Sequence, residues 1–316
     1  MLAVIALSFD PLLHLGPMTI RWQTIGVTIA LLAAFSLAAF MAPDLGAQRP
    51  FFRRRRPAPV SLKPTFPHAP IVDHTGRSGP LLRLDDMLLI VVGAVPGAVL
   101  GGRLVHALDF WDAYMSHPGW LVDPLVGTLS LTGALLGGFL TAAYAARLIG
   151  APVRRWADAA AVPLLLAMSL GKLAQLLGGS GQGLPFDGPW AVAFLGPGPW
   201  VSASPEIASH PAQAYEGLLL LIGIPVVLLL AGPRWKPVRV HRWVAWMDRS
   251  AEEGRLFTYA MGWFLVGRIL VGFTWRDDPF IGPLNTEQVV ALAVLAGILA
   301  GLWLVRPRGT EAARAP

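Results

Sequence analysis

The sequence predicts an all-α integral membrane protein of seven transmembrane helices, with its N-terminus outside, its C-terminus in the cytoplasm and a small extracytoplasmic cap between spans four and five. Three observations carry this. Over 316 residues the hydrophobic fraction is 54%, the charged fraction 14% and the mean hydropathy +0.57, a balance foreign to a soluble chain of that length. Seven runs, roughly 22–42, 86–107, 127–147, 157–178, 211–231, 256–275 and 286–305, are long and apolar enough to cross a hydrocarbon core of about 30 Å. Lys and Arg, which resist translocation next to a span, alternate along the connections.

The apolar start MLAVIALSF lacks a basic n-region and a small-residue cleavage site. It is expected to lie along the outer interface before the first span. The first connection holds Arg49, Arg53, Arg54, Arg55, Arg56, Lys63, Arg77 and Arg83. Residues 43–85 are therefore expected to be a basic, Pro/Arg-rich cytoplasmic loop, partly disordered. The connection 108–126 holds no Lys or Arg, and the third holds Arg154 and Arg155. The fourth, 179–210, is again free of them, whereas the fifth carries Arg234, Lys236, Arg239, Arg242, Arg249 and Arg255. The sixth has Arg276 alone, and the cytoplasmic tail 306–316 has Arg306, Arg308 and Arg314.

Residues 183–210 are rich in Pro, Gly and Trp and nearly free of charge, a composition suited to short strands and turns packed on the membrane face. No internal repeat is visible, so an inverted-repeat transporter is not supported. The whole chain, 1–316, reads as one transmembrane domain.

The net charge of +6 follows from this topology and suits an anionic inner leaflet, not nucleic acid. With no cysteine, a disulfide framework, a thiolate nucleophile and a Cys-ligated metal are excluded. No metal or other cofactor is expected.

Ionisable residues inside spans are costly, and each is a functional-site candidate. They are Arg103 in the second span, Lys172 in the fourth, Glu216 in the fifth and Arg268 in the sixth. The expected topology puts all four in the outer half of the bundle. Three cations against one carboxylate leave positive charge for an anion, and a lipid phosphate is the commonest at that depth. GAVPGAVLGGRLVHALD (93–109) and TGALLGGFL (132–140) are small-residue faces that let helices approach closely. Pro96 and Pro163 lie inside the second and fourth spans, where they are expected to kink the helices.

These residues carry a family likeness. FDPLLHLGPMTIRWQTIG (9–26) resembles the opening of prolipoprotein diacylglyceryl transferases, where D-P-x(n)-G-P-x-x-I-R-W-Y-G leads into the first span. DDMLLIVVGAVPGAVLGGRLVHAL followed by SHPGW looks like their second span and its loop, and LTGALLGG stands where they have H-G-G-L-x-G. GKLAQLLGGSGQG (171–183) is similar to G-R-x-G-N-F-x-N-x-E-x-x-G, HPAQAYEG (210–217) to H-P-T-Q-L-Y-E, and GRILVGFTWRDDP (267–279) to G-R-F-x-x-E-F-x-R-x-P.

The resemblance implies a multi-pass enzyme of the bacterial inner (plasma) membrane. Its reaction is transfer of diacylglycerol from phosphatidylglycerol to the thiol of a lipobox cysteine, with release of glycerol phosphate. The implied partners are phosphatidylglycerol, other anionic phospholipid and the prolipoprotein signal peptide. It also implies that Arg103, Lys172 and Arg268 hold the phosphate and that Gln175 and Gln23 orient the glycerol. Thr132, Gly133, Gly183, His210, Tyr215 and Glu216 fall on the remaining motif positions.

The departures are specific. Gln23 replaces the tyrosine after I-R-W, and Thr132 replaces the histidine of H-G-G. Lys172 and Gln175 replace the arginine and asparagine of G-R-x-G-N, keeping charge and amide but not the bidentate fork. Gly178 and Ser180 replace that motif's second asparagine and its glutamate, and Gly272 replaces the glutamate four residues after Arg268. Anion-binding positions thus keep their charge, while proton-moving ones are mostly lost. His106, three residues after Arg103 on the same helical face and where the family usually has tyrosine, is the candidate replacement base. Two readings follow: an active transferase of a divergent branch, or a catalytically degenerate homologue acting as a phospholipid-binding or assembly membrane subunit.

Overall fold

The computed structural model describes residues 4–41, 84–121, 123, 129–231 and 253–304. Most of the basic loop expected at 43–85 and the tail expected at 306–316 lie outside the described residues.

Seven long helices fall within a few residues of the expected runs. They are α1 (Trp22–Met41), α2 (Leu84–Asp109), α4 (Leu131–Leu148), α5 (Val153–Gln175), α6 (Ala212–Leu230), α7 (Arg255–Gly272) and α8 (Thr286–Leu304), with a short α3 (Trp111–Ser116) after α2. Among the described residues six of them, all but α7, are long and apolar enough to cross a membrane. The chain is a multi-pass membrane protein. On α2 and α8 side chains such as Val92, Leu104, Leu299 and Trp303 are fully outward, a face that hydrocarbon solvates and water does not.

α5 is the most enclosed helix, packing against α1, α6 and α7. Leu165 of α5, Leu220 and Val227 of α6, Phe264 and Leu265 of α7 and Ala291 of α8 form the main apolar core. α2 and α4 make the most extensive helix pair, and the sequence explains why. A Cβ added at Gly97, Gly101, Gly133 or Gly137 would come closer than 3.0 Å to backbone of the facing helix. Only hydrogen at these positions lets the two main chains touch, which is how helices bind where no hydrophobic effect drives them. Pro96 and Pro163 lie inside helices that run on without a break, α2 and α5.

Two helix starts are secured from a distance. Asp158 of α5 accepts hydrogen bonds from the backbone N–H of Gly254 (2.7 Å) and Phe257 (2.9 Å), capping α7 from a neighbouring helix. At α8, Asn285 Oδ1 accepts from the Gln288 N–H and Gln288 Oε1 accepts from the Asn285 N–H, each at 2.9 Å. This reciprocal capping box fixes the first turn.

Short strands β1 (Ile5–Leu7), β2 (Leu12–Leu15), β3 (Met18–Arg21) and β4 (Val192–Phe194) lie outside the bundle's helices. β4 belongs to the Pro/Gly/Trp-rich connection, and β1 pairs with it in parallel, Ala6 opposite Ala193. β2 and β3 form an antiparallel hairpin leading into α1. The start of the chain, expected along the interface, is thus a strand of the cap. Its apolar run carries no signal of the partner it pairs with.

Replacing Gly137 by Val is expected to separate α2 from α4 and cost about 1–3 kcal/mol, the usual range for overpacking. Gly262→Ala in α7, where nothing lies within 4 Å of the new Cβ, is expected to be neutral or slightly stabilising. Thermal unfolding of the two variants in detergent measures both.

Candidate active site

Lys172 stands in the last turn of α5, Glu216 near the start of α6 and Arg268 just before the last turn of α7. The sequence set Glu216 as a single carboxylate against three cations. It meets two of them: Glu216 Oε2 lies 3.0 Å from Lys172 Nζ and 2.9 Å from Arg268 Nη1. Glu216 is 1% exposed and Lys172 7%, so the attraction acts in a medium where neither sign is hydrated. The Trp275 ring lies over both cations, 4.6 Å from Lys172 Nζ and 5.2 Å from Arg268 Cζ. Gly181, at φ +71° and with its Cβ direction blocked by that ring, gives the indole its place.

A fourth member was not anticipated. Glu287, in the first turn of α8, is buried, lies 3.4 Å from Arg268 Nε and accepts a hydrogen bond from Thr132 Oγ1. The buried quartet therefore holds two cations and two carboxylates. That corrects the charge count made from the spans, which had one carboxylate against three cations. The signal was present but ambiguous: N-T-E-Q reads as an ordinary helix start, where a first-turn glutamate needs no functional explanation.

Arg103 stands apart from the quartet. It is 3% exposed, donates from Nη1 to the carbonyl of Trp120, and leaves Nε without a partner. Among the described residues no carboxylate meets it.

Two of the motif departures are filled from elsewhere in the fold. A Cβ on Gly178 would strike the Gln23 side chain. A Cβ on Gly272 would lie 2.5–2.7 Å from Cγ, Cδ and Nε2 of Gln288. Gln288 Nε2 also donates to the Ile269 carbonyl at 2.9 Å, tying the end of α7 to the start of α8. Ser180 Oγ donates to Gln23 Oε1 at 3.2 Å, and Gln213 Nε2 donates to the Ser180 carbonyl at 2.8 Å. Four buried polar atoms remain without partners: Gln175 Oε1, Gln213 Oε1, Glu216 Oε1 and Trp275 Nε1. Each of these atoms has room for a hydrogen-bond partner such as water or a polar ligand.

The other expected residues fall in three places. His106 lies among aromatic rings, 4.6 Å from Phe110 and 6.0 Å from Tyr114 by centroid. Gly133 is in the α2–α4 seam. Gly183, His210 and Tyr215 form the junction of cap and bundle: Gly183 N–H donates to the His210 carbonyl at 3.1 Å, and Gly183 pairs with Trp275 across a bridge. His210 stacks on Phe186, and burial pushes its imidazole below the ordinary value. The neutral ring suits the hydrogen bond that Tyr215 Oη makes with Nδ1 at 3.2 Å, Tyr215 itself accepting from Trp190 Nε1 at 2.6 Å. Asp277, just beyond α7, is pushed above the usual carboxylate range by burial, against the pull of Arg268.

Fold and site together define a multi-pass membrane protein with a buried, charge-balanced polar cluster at one end of its helices. The family model for prolipoprotein diacylglyceryl transferase matches residues 73–305, and the chain belongs to that family. It is 27% identical over 305 residues to the phosphatidylglycerol–prolipoprotein diacylglyceryl transferase of Trichormus variabilis, covering 94% of this chain and 90% of that one. To the enzyme of that name from Symbiobacterium thermophilum it is 27% identical over 306 residues, 94% of each. To that from Geobacter sulfurreducens it is 34% identical over 171 residues, 53% of this chain and 62% of that one.

Glu216→Ala is expected to leave Lys172 without a carboxylate inside the bundle and to cost about 3–5 kcal/mol, the range for removing one partner of a buried pair. A fall in the thermal unfolding midpoint and in the yield of folded protein from membranes measures it.

Proposed function

We propose that the chain transfers a diacylglyceryl group from phosphatidylglycerol to the thiol of a prolipoprotein's lipobox cysteine, forming a thioether and releasing glycerol phosphate. One observation carries this beyond family membership: two cations from different helices, Lys172 and Arg268, are held by a shared carboxylate inside the bundle and edged by unpartnered polar atoms. Phosphate leaving in a low-dielectric site needs fixed positive charge, because nothing else there stabilises it. Lys172 and Arg268 meet that need on one side. Arg103, buried and met by no carboxylate among the described residues, offers the remaining positive charge.

In this reading the phosphate displaces part of the internal pairing. The glycerol hydroxyls donate to Gln175 Oε1 and Gln213 Oε1, and Gln23 shapes the wall beside Gly178. His210, Tyr215 and Gly183 hold the cap against the site, and Thr132 and Gly133 form the opposite wall. The signal peptide of the acceptor enters beside the cap at 179–210. α7 is the sixth of seven spans, its lower hydropathy being the consequence of the charge it brings to the site. The cap faces outward and the basic connections face the cytoplasm of a bacterial inner membrane.

Orientation is directly measurable because the chain has no cysteine. A single Cys at Ser204, in the cap, is expected to react with an impermeant thiol reagent in intact spheroplasts, whereas one at Ser61 reacts only after lysis. The opposite pattern inverts the topology.

The activity is tested by expressing the chain in cells depleted of their own transferase and looking for thioether-lipidated lipoprotein by mass spectrometry. Modification is expected. Its absence from correctly inserted protein would overturn the reading. Lys172→Arg is expected to retain activity, while Lys172→Ala is expected to lose about 10²–10³ in kcat, the range for removing a positioned charge-stabilising group.

A further inference from the structure

Glu287 is a buried acid that the reading above leaves without a task. Its setting differs from that of Glu216. Glu216 is clamped by two cations at 3.0 and 2.9 Å. Among the described residues Glu287 meets a cation through Arg268 Nε at 3.4 Å, and its other polar contacts are with the neutral hydroxyls of Thr132 and Ser130. Its backbone is pinned by the Asn285–Gln288 capping box and by the Gln288 bond to Ile269. The carboxylate is held firmly from behind and lightly in front.

The reaction needs a group that takes a proton from the thiol. Thr132 stands where the family pattern has histidine, and an alcohol does not accept that proton near neutral pH. The fold delivers Glu287 to that hydroxyl from a helix 155 residues further along the chain. The charged and titratable groups around Glu287 are Arg268, Lys172, His106, Asp109 and Asp277. Of these His106 is the rival. Its ring packs on Phe110 and Tyr114 and has no hydrogen-bond partner among the described residues, so nothing orients it as a base.

We infer that Glu287 is the proton acceptor for the attacking thiol, standing in for the histidine absent at position 132. The inference rests on the transferase reading. The S–H proton passes to a Glu287 oxygen as the sulfur pair forms the S–C bond to the glyceryl carbon. The C–O bond to phosphate breaks, and its electron pair stays on the phosphate oxygen beside Lys172 and Arg268. The proton then moves from Glu287 to the departing glycerol phosphate, restoring the carboxylate. Thr132 is a positioning residue that holds the acceptor oxygen through its hydroxyl.

The test uses the purified full chain in phosphatidylglycerol-containing nanodiscs with a synthetic lipobox peptide, thioether product and bound phosphatidylglycerol both being read by mass spectrometry. Glu287→Gln, which keeps shape and loses basicity, is expected to lower kcat about 10²-fold or more, with bound lipid unchanged. Adding Thr132→His to that variant is expected to recover at least tenfold, because the imidazole restores a base at the same place. A Glu287→Gln protein with wild-type kcat overturns the inference and leaves the transferase reading intact. So does a loss of turnover matched by loss of bound lipid and not recovered by Thr132→His, which makes Glu287 structural. A wild-type chain that forms no thioether overturns the transferase reading, and this inference with it.

Discussion

One carboxylate oxygen, Oε2 of Glu216, holds two cations that arrive from two other helices. Charges inside a membrane bundle have no water to retreat to, so each must be met in place. The pairing fixes the end of α5, the start of α6 and the end of α7 relative to one another. Trp275 then closes over the two cations, and Gly181 can adopt no other chemistry without displacing that ring. Through Arg268 the arrangement extends to Glu287 and the start of α8, and through Glu287 to Thr132 on α4. Five helices are thereby joined by polar contacts at one end, while apolar packing of Leu165, Leu220, Phe264 and Leu265 joins α5, α6 and α7 toward the middle.

The departures from the family pattern are not independent losses. Gly178 makes room that the Gln23 amide fills, and Gly272 makes room that Gln288 fills. Where histidine is replaced by Thr132, a carboxylate arrives from α8. In each case the space beside the small or short residue is occupied by a side chain from a different element, as close packing of the interior requires. Substitutions coupled in this way are not additive, and a single reversion at Gly178 or Gly272 meets an occupied site.

Much of the bundle was legible because a bilayer imposes a length and a composition on every span. The seven apolar runs matched seven helices to within a few residues, and the small-residue faces at 93–109 and 132–140 became the closest helix pair. The intramembrane charges Arg103, Lys172, Glu216 and Arg268 stood out for the same reason, and three of them do meet. Arg103 and Glu287 show the limit. Arg103 looked equivalent to the other cations by depth alone, yet it hydrogen-bonds to Trp120 and meets no carboxylate among the described residues. Glu287 looked like any first-turn acid, since a helix start draws carboxylates whether or not a site is near.

By itself, then, the sequence determined the number and limits of the long helices, which helices carry the buried charges Arg103, Lys172, Glu216 and Arg268, and the family whose motifs they sit in, because hydropathy, small-residue spacing and motif order are properties of the linear chain. The tertiary structure alone decided that one carboxylate would serve two cations, that β1 would pair with β4 and that Gln23, Gln288 and Glu287 would meet Gly178, Gly272 and Thr132. Those are contacts between elements far apart in the chain. Their partners are chosen by which helix faces come together, and no local pattern records that.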